Sequence, residues 1–266
     1  MKDKILEKIK QLPPLPESAI QIESIYQDPD SSFNDMVKVL EKDPLLTADI
    51  LKAANSPLYG FSREINSVAR AVSLFGMGAI RGFALASIVK NSFSLNLSPY
   101  GISNDQFAAL SKMQHALMSN MCMKKHRALL DVLSPAAFLV EIGKVLIAQT
   151  IIDLGKEAEF KAAIASGDIE ATEIEFCTVD TAEVSATIFD HWRFDSNLVD
   201  TIKSCTNPAG ASEENRLACQ ILQIVRTAVP VAGAITPESI EAAKALVTEY
   251  AIDEALFDEA IATVMA

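Results

Sequence analysis

One carboxylate, Glu141, stands in the middle of a nearly continuous apolar stretch that runs from residue 134 to 150. The stretch is apolar almost all the way round a helical wheel, which is typical of a helix buried on several faces. Ser134 followed by Pro135 predicts the start of that helix, as N-cap and first helical residue. An unpaired buried carboxylate is costly. Two explanations are open: Lys144 and its neighbours compensate the charge of Glu141, or Glu141 is the remnant of a chemical site.

The other residues that commonly bind metals or catalyse reactions are few and widely spaced. The chain has three histidines, which excludes a histidine-rich metal centre: His115, His126 and His191. None of its four cysteines forms a C-x-x-C pair, so buried thiols are predicted rather than a zinc or redox site. His115 has apolar neighbours at helical spacing, which predicts a hydrogen-bonded histidine in the core.

Composition and charge exclude several classes of protein. Half of the residues are hydrophobic and 22% are charged, which is typical of a globular protein. The net charge of −12 argues against binding nucleic acid through its phosphates. The basic cluster 124–127 is predicted to close a helix that begins near Asn104 and to complement its dipole. No apolar run approaches a membrane span and residues 1–10 have no signal-peptide core, so we expect a cytoplasmic protein without membrane contact.

Periodicity predicts the elements that must position these residues. Apolar residues recur at i, i+3, i+4 and i+7 without strand-like alternation, and capping residues followed by proline mark several helix starts, as at Asp43-Pro44, Ser56-Pro57 and Thr236-Pro237. The chain is therefore predicted to be all-α, with about a dozen helices. A break is expected at Gly76-Met77-Gly78, followed by a helix whose small residues allow close helix contact. The loop 94–103 suggests a soft boundary.

Short motifs in the first third of the chain are distinctive. They are Leu12-Pro-Pro-Leu-Pro16, Asp43-Pro44-Leu45, Ala54-Asn55-Ser56 with Tyr59-Gly60, Ile65-Asn66-Ser67, and Leu74-Phe75-Gly76. In this order they resemble the HDOD domain, a bacterial signalling family related to the HD-domain metal phosphohydrolases. The resemblance implies an N-terminal helical subdomain (1–98) followed by an HD-like helical bundle (99–266), together one HDOD unit. We expect the signature residues to be structural: Pro14, Pro16, Asp43, Pro44, Asn55, Ser56, Tyr59 and Gly76.

The resemblance also implies where a metal site would lie. HD enzymes use a histidine on one helix, a His-Asp pair on the next and a later aspartate, often with further histidines. By this resemblance His115 stands at the first histidine, Val140-Glu141 at the His-Asp pair, Thr181 at a later histidine and Ser204-Cys205 at paired histidines. No aspartate lies between residues 200 and 253 to serve as the last ligand. One histidine and one glutamate cannot hold a catalytic metal tightly, so we expect no cofactor and no phosphohydrolase activity.

Three functions follow from these observations. The first is a non-catalytic module of bacterial signal transduction that contacts unidentified signalling proteins supplied in trans. The second is a sensor of small molecules or nucleotides that uses the former active-site cleft, with His115, Glu141 and Lys144 as polar contacts. The third is a residual metal-dependent phosphohydrolase. The chain has no G-x-x-x-x-G-K phosphate loop and no G-x-S-x-G elbow that would indicate another enzyme class.

Overall fold

Every secondary-structure element in the described part of the chain is helical. The computed structural model describes residues 1–61, 63–92, 95–231 and 234–266, and the side chains of these residues except 90–92 and 166. Within these ranges it contains α-helices α1 to α16 and four short 3-10 helices, so the all-α prediction is confirmed and the expected dozen helices was close. No helix in these ranges is both long and apolar enough to cross a membrane.

The first six α-helices belong to the N-terminal part of the chain. They are α1 (Lys2–Lys10), α2 (Glu17–Gln27), α3 (Phe33–Glu41), α4 (Pro44–Ala54), α5 (Val68–Phe75) and α6 (Met77–Ser92). Asp43 caps α4 as predicted, because its side chain accepts hydrogen bonds from the backbone N–H groups of Leu45 and Leu46. Ser56-Pro57 starts a 3-10 turn instead of an α-helix. The predicted break before α6 is confined to Gly76, whose φ of 85° lies in the left-handed region.

The remaining ten helices form the second part. They are α7 (Asn104–Cys122), α8 (Leu130–Leu139), α9 (Gly143–Asp153), α10 (Glu157–Ser166), α11 (Ile169–Cys177), α12 (Thr181–His191), α13 (Ser196–Ser204), α14 (Arg216–Ala228), α15 (Pro237–Glu249) and α16 (Glu254–Met265). The prediction that the basic cluster 124–127 closes a helix was wrong, because α7 ends at Cys122. Two lysines of the cluster pair with α16 instead: Lys124 with Glu259 at 2.6 Å, and Lys125 with Asp253.

The prediction of one helix beginning at Ser134 was also wrong. Helix α8 begins four residues earlier, Pro135 lies inside it, and a turn at 140–142 separates it from α9. A side chain of α12 satisfies the backbone of this turn: the Ser185 hydroxyl donates to the Val140 carbonyl at 2.6 Å and accepts from the Gly143 N–H at 2.8 Å. Because that hydroxyl comes from a distant part of the chain, the local sequence gave no sign of the break.

Helix α6 packs against α8 at very short range. A Cβ atom added to Gly82 would lie 3.0 Å from backbone atoms of Ser134 and Pro135. The prediction that the small residues of α6 allow close helix contact is therefore confirmed. This packing places the N-terminal helices directly on the central helix of the second part.

The two parts share one hydrophobic core. Helix α1 packs on α9 and α12. The Pro-rich segment 12–16 that follows it, here called the strap, packs Leu12 and Leu15 on the core. The indole Nε1 of Trp192, next to the end of α12, donates to the Pro13 carbonyl of the strap at 3.1 Å. The two parts are thus joined by several packing contacts and not only by the chain between them.

Candidate functional site

Glu141 lies in the turn between α8 and α9 with only 2% of its surface exposed. Its Oε1 atom accepts hydrogen bonds from Arg226 Nε of α14 at 2.8 Å and from Gln114 Nε2 of α7 at 3.3 Å. Its Oε2 atom lies 3.3 Å from Lys144 Nζ, without the angular geometry of a hydrogen bond. The carboxylate is therefore compensated, as in the first of the two explanations, by Lys144 and by Arg226 of the distant helix α14.

Arg226 connects Glu141 to the edge of the cluster. Its Nη1 atom lies 2.7 Å from Oε1 of Glu170 on α11 and 3.6 Å from Sγ of Cys205. The Glu170 side chain is 38% exposed, whereas that of Arg226 is 9% exposed. The guanidinium thus bridges a fully buried carboxylate and a carboxylate that reaches solvent.

Lys144 belongs to a second, deeper group of polar side chains. Its Nζ atom donates to Oε1 of Glu173 at 2.8 Å and to Oγ1 of Thr181 at 2.9 Å. Glu173 also accepts from the Thr181 hydroxyl at 2.7 Å, the Thr181 N–H at 2.6 Å and the Tyr100 hydroxyl at 2.8 Å. Every charged group of this deeper set has a charged partner, which is the condition for burying charge at acceptable cost.

The ionisation states follow from these contacts. Burial by itself would raise the pKa of Glu141, but Arg226 and Lys144 outweigh it and lower the pKa to about 2. Burial likewise opposes the charge of Lys144, yet Glu173 and Glu141 raise its pKa above the usual value. At neutral pH, Glu141 is therefore a carboxylate and Lys144 an ammonium ion.

His115 lies in an aromatic cluster and not beside Glu141. Its Nδ1 atom is 2.7 Å from the Tyr59 hydroxyl, and its ring stacks on Phe138 with centroids 4.1 Å apart. Burial lowers the pKa of His115 to about 3 and raises that of Tyr59, so a protonated phenol donates to a neutral ring. The prediction of a hydrogen-bonded core histidine is confirmed.

The residues that the resemblance implied for an HD site are thus only partly brought together. Glu141, Lys144, Thr181 and Cys205 belong to one polar network, which we call the ion-pair cluster and define by Gln114, Glu141, Lys144, Glu170, Glu173, Thr181, Cys205 and Arg226. Val140 lies outside this network: its side chain is buried in the hydrophobic core, and its carbonyl accepts from Ser185 in the turn described above. Ser204 is the last residue of α13, and no hydrogen bond of its side chain occurs in the described part of the chain.

Sequence reasoning missed the residues that complete the cluster. Arg226 follows the buried residues Ile224 and Val225 on α14. A charged residue directly after two apolar ones was the signal that could have indicated a buried cation. Glu173 gave a similar signal on α11. Gln114, next to His115, is the residue of α7 that reaches Glu141. Three helices distant in sequence therefore had to be assembled before the cluster existed.

The family-signature residues occupy local structural positions. The Asn55 side chain accepts from the Ile65 N–H at 2.8 Å and donates to the Ile65 carbonyl at 2.8 Å, which ties the turn after α4 to the chain ahead of α5. Pro16 is the N-cap of α2, and Ser56 and Pro57 begin the 3-10 turn that carries Tyr59. This turn delivers the Tyr59 hydroxyl to His115.

The donor set of the ion-pair cluster does not fit a catalytic metal. Catalytic metals are held by several converging nitrogen or oxygen atoms that keep an open position for water. Here Oε1 of Glu141 is directed at a guanidinium, and His115 Nδ1 is directed at a phenol. Across the described ranges no group of three or more His, Cys, Asp or Glu residues is arranged to hold a metal ion.

Comparison with solved structures gives the fold family. A crystal structure from Shewanella amazonensis SB2B, provisionally named a phosphohydrolase, matches with a TM-score of 0.75 and 22% identity over 99% of this chain and 94% of that one. A protein of Marinobacter aquaeolei VT8, provisionally named a signal transduction protein, matches with a TM-score of 0.69 and 25% identity over 98% of this chain and 60% of that one.

Sequence comparison agrees. A curated, uncharacterized protein of Treponema pallidum (strain Nichols) is 21% identical over 223 residues, which are 79% of this chain and 40% of the relative. The chain thus spans less than half the length of that relative. The family model described as the HDOD domain matches residues 12–208, which include the strap, the signature motifs and most of the ion-pair cluster. The resemblance is confirmed: this chain belongs to the HDOD domain family.

Proposed function

We propose that this chain is a non-catalytic regulatory module of bacterial signal transduction that acts by contacting other proteins supplied in trans. The observation that carries the proposal is the occupation of Glu141 by two internal cations, Arg226 at 2.8 Å and Lys144 at 3.3 Å. By the resemblance, Glu141 corresponds to the metal-binding aspartate of HD enzymes. The positive charge that a metal would supply there is supplied by protein side chains.

A metal ion would have to compete with these cations. Displacing Arg226 from Glu141 would leave a largely buried guanidinium with the partly exposed Glu170 as its remaining carboxylate, and losing a buried ion-pair partner is destabilising. The cluster instead links α7, α9, α11 and α14 through side-chain contacts. Its most direct role is to hold these helices together.

The comparisons supply a second line of support. The Marinobacter aquaeolei protein, at 25% identity, carries a provisional name in signal transduction. The net charge of −12 favours protein partners over nucleic acid. Both points are consistent with a module that transmits a signal through its surface.

The enzymatic alternative is tested with the full chain and added metal. We expect sub-stoichiometric Mn²⁺, Fe²⁺ or Zn²⁺ after gel filtration, and background hydrolysis of nucleotides and of bis(p-nitrophenyl) phosphate. Glu141→Gln and the surface control Glu175→Gln should leave this background unchanged. A stoichiometric metal, together with turnover that is lost in Glu141→Gln and kept in Glu175→Gln, would establish the residual phosphohydrolase instead.

The proposed protein contact is tested by affinity purification and mass spectrometry from the source cell. We expect at least one protein that is enriched over an unrelated acidic bait of similar size and that binds the purified chain directly. If no enriched protein binds the purified chain, action through protein contacts is refuted.

A small-molecule sensor is the second candidate, and one observation favours it. A pocket of about 150 Å³ opens between α4, α6, α7 and α8. None of the polar contacts expected for such a sensor, His115, Glu141 and Lys144, lines this pocket, so a sensor would use other residues. A thermal-shift screen with nucleotides and cyclic dinucleotides separates the candidates. A saturable rise in melting temperature supports a nucleotide sensor, and a flat profile removes it.

A further inference from the structure

The pocket between α4, α6, α7 and α8 lies close to the ion-pair cluster but is formed by different residues. Leu139 and Ile142 line the pocket, while Val140 and Glu141 between them belong to the buried turn and the cluster. The α8–α9 turn therefore separates a buried polar network from an open cavity. This cavity has no role in the regulatory function proposed first, and the inference below does not rest on that function. It gives the second candidate, a small-molecule sensor, a ligand class.

The floor of the pocket is apolar. Three buried aromatic rings, Phe83, Phe107 and Phe138, form it together with Val89 and aliphatic residues. The rings of Phe83 and Phe138 pack edge to face with centroids 5.1 Å apart, and Phe138 in turn stacks on His115. Preformed concave sites with apolar walls and a few polar groups are the usual form of a small-molecule site.

The size of the pocket limits the ligand. An apolar cavity of about 150 Å³ accommodates one benzene ring. Ala53, Ala86 and Ala108 line the walls, and their short side chains leave this space open. The body of the ligand is therefore a single aromatic ring or an aliphatic group of equal volume.

The rim of the pocket determines the charge of the ligand. Its charged side chains are two lysines, Lys52 and Lys112, and one aspartate, Asp49. The Ser87 hydroxyl donates to Asp49. Lysines therefore outnumber carboxylates along this rim, on a chain whose net charge is −12. Such a rim favours a single negative charge over a neutral or positive group of the same shape.

We propose that this pocket binds a small amphiphilic carboxylate, with its apolar body between Phe83, Phe107 and Phe138 and its carboxylate at the lysine rim. The apolar body supplies most of the affinity through the area removed from water. The carboxylate supplies selectivity, because it lies at the solvent-exposed rim where an ion pair adds little energy.

Three probes with the same body test the proposal on the full chain: 3-phenylpropionate, 3-phenylpropanol and 3-phenylpropylamine, titrated by calorimetry and ligand-observed NMR. We expect saturable binding of the carboxylate that is roughly twofold to fivefold tighter than that of the alcohol. The amine should bind most weakly. If the alcohol or the amine binds most tightly, the assigned ligand class is wrong.

Variants locate the binding in the pocket. Ala86→Leu on α6 and Ala108→Leu on α7 each fill the cavity from a different wall, and each should weaken binding at least about tenfold. Lys52→Glu should weaken binding of the carboxylate more than Lys42→Glu, which makes the same charge change at the end of α3. Circular dichroism identifies any variant that does not fold. No saturable binding of any probe at millimolar concentration, or binding that the folded leucine variants retain, would overturn the proposal.

Discussion

Arg226 is the residue of the ion-pair cluster that joins its buried carboxylate to its partly exposed one. Its guanidinium is hydrogen-bonded to buried Glu141 and also paired with Glu170, which is partly exposed. The ion-pair cluster therefore extends from the interior to the surface of the molecule. Lys144 supplies a second cation, but it is held mainly by Glu173 and Thr181. Without Arg226, Glu141 would therefore share one cation with another carboxylate.

The first prediction follows for stability. Arg226→Ala is expected to lower the free energy of unfolding by about 3–5 kcal/mol, because it leaves a buried carboxylate incompletely paired. The double variant Arg226→Met with Glu141→Gln should lose less, since neither charge remains. Urea unfolding followed by circular dichroism measures both. Arg216→Ala, an exposed arginine on the same helix, serves as control, and a loss for Arg226→Ala no larger than that control would contradict the structural role of the cluster.

The second prediction concerns pH. The folded-state pKa of Glu141, about 2, lies below the ordinary value of 4.5, so its carboxylate stabilises the fold fully above that value. This contribution is lost as the pH falls from about 4.5 toward 2. The difference in unfolding free energy between the wild type and Glu141→Gln should therefore be largest near pH 6 and shrink at lower pH. Glu175→Gln should show no such trend, and an equally flat profile for Glu141→Gln would refute the assignment.

At the scale of elements, the approach of α12 to the α8–α9 turn fixes the position of Glu141. Gly143 begins α9, and a Cβ atom there would lie 2.4 Å from the Thr181 carbonyl. Thr181 also bonds Glu173 and Lys144, so the same contact joins the turn to the ion-pair cluster. The glycine is required by this close approach and not by its own φ angle.

The third prediction tests this contact. In an open helix, Gly→Ala would stabilise by up to about 1 kcal/mol. Gly143→Ala is expected to destabilise by about 2 kcal/mol or more, because the new methyl group meets backbone that cannot move aside easily. Gly167→Ala, where the nearest atom is at an ordinary 3.4 Å, should change stability little. Urea midpoints of the two variants decide the matter: equal values would rule out the close approach.

At the scale of the whole molecule, a second buried ion-pair group joins the N-terminal helices to the rest. Arg81 of α6 is 1% exposed, bonds Glu23 of α2 at 2.6 and 2.7 Å, and bonds Asp195 at the start of α13 at 2.6 Å. Its guanidinium also stacks over the Tyr26 ring at 4.1 Å. Three helices from both parts of the chain thus meet at one side chain.

The fourth prediction concerns cooperativity. Arg81→Met should lower the free energy of unfolding by about 3–5 kcal/mol, because Glu23 stays buried without its cation. Lys38→Met, on the exposed surface, is the control.

Trp192, the single tryptophan, contacts the N-terminal strap, so its fluorescence reports on the junction of the two parts. Fluorescence and circular dichroism should give coincident urea transitions in the wild type. An earlier fluorescence transition would show that residues 1–98 unfold separately.

The sequence by itself determined the features that depend on neighbouring residues. Helix type and the caps at Asp43 and Thr236 follow from short-range periodicity and hydrogen bonding, and the HDOD motifs identified the family. The pairing of Glu141 with Lys144, one turn further on, was one of the two explanations that the sequence left open. The core position of His115 followed from its apolar neighbours.

The tertiary structure alone decided the chemistry of the centre. Arg226 reaches Glu141 across 85 positions, and Ser185 satisfies the break at Val140 across 45, so no local pattern could reveal either contact. The pocket between α4, α6, α7 and α8 depends on the packing of helices from both parts of the chain. Charge compensation and cavity shape arise from atoms brought together by folding, and for that reason the sequence indicated an unusual carboxylate but not the cations that hold it.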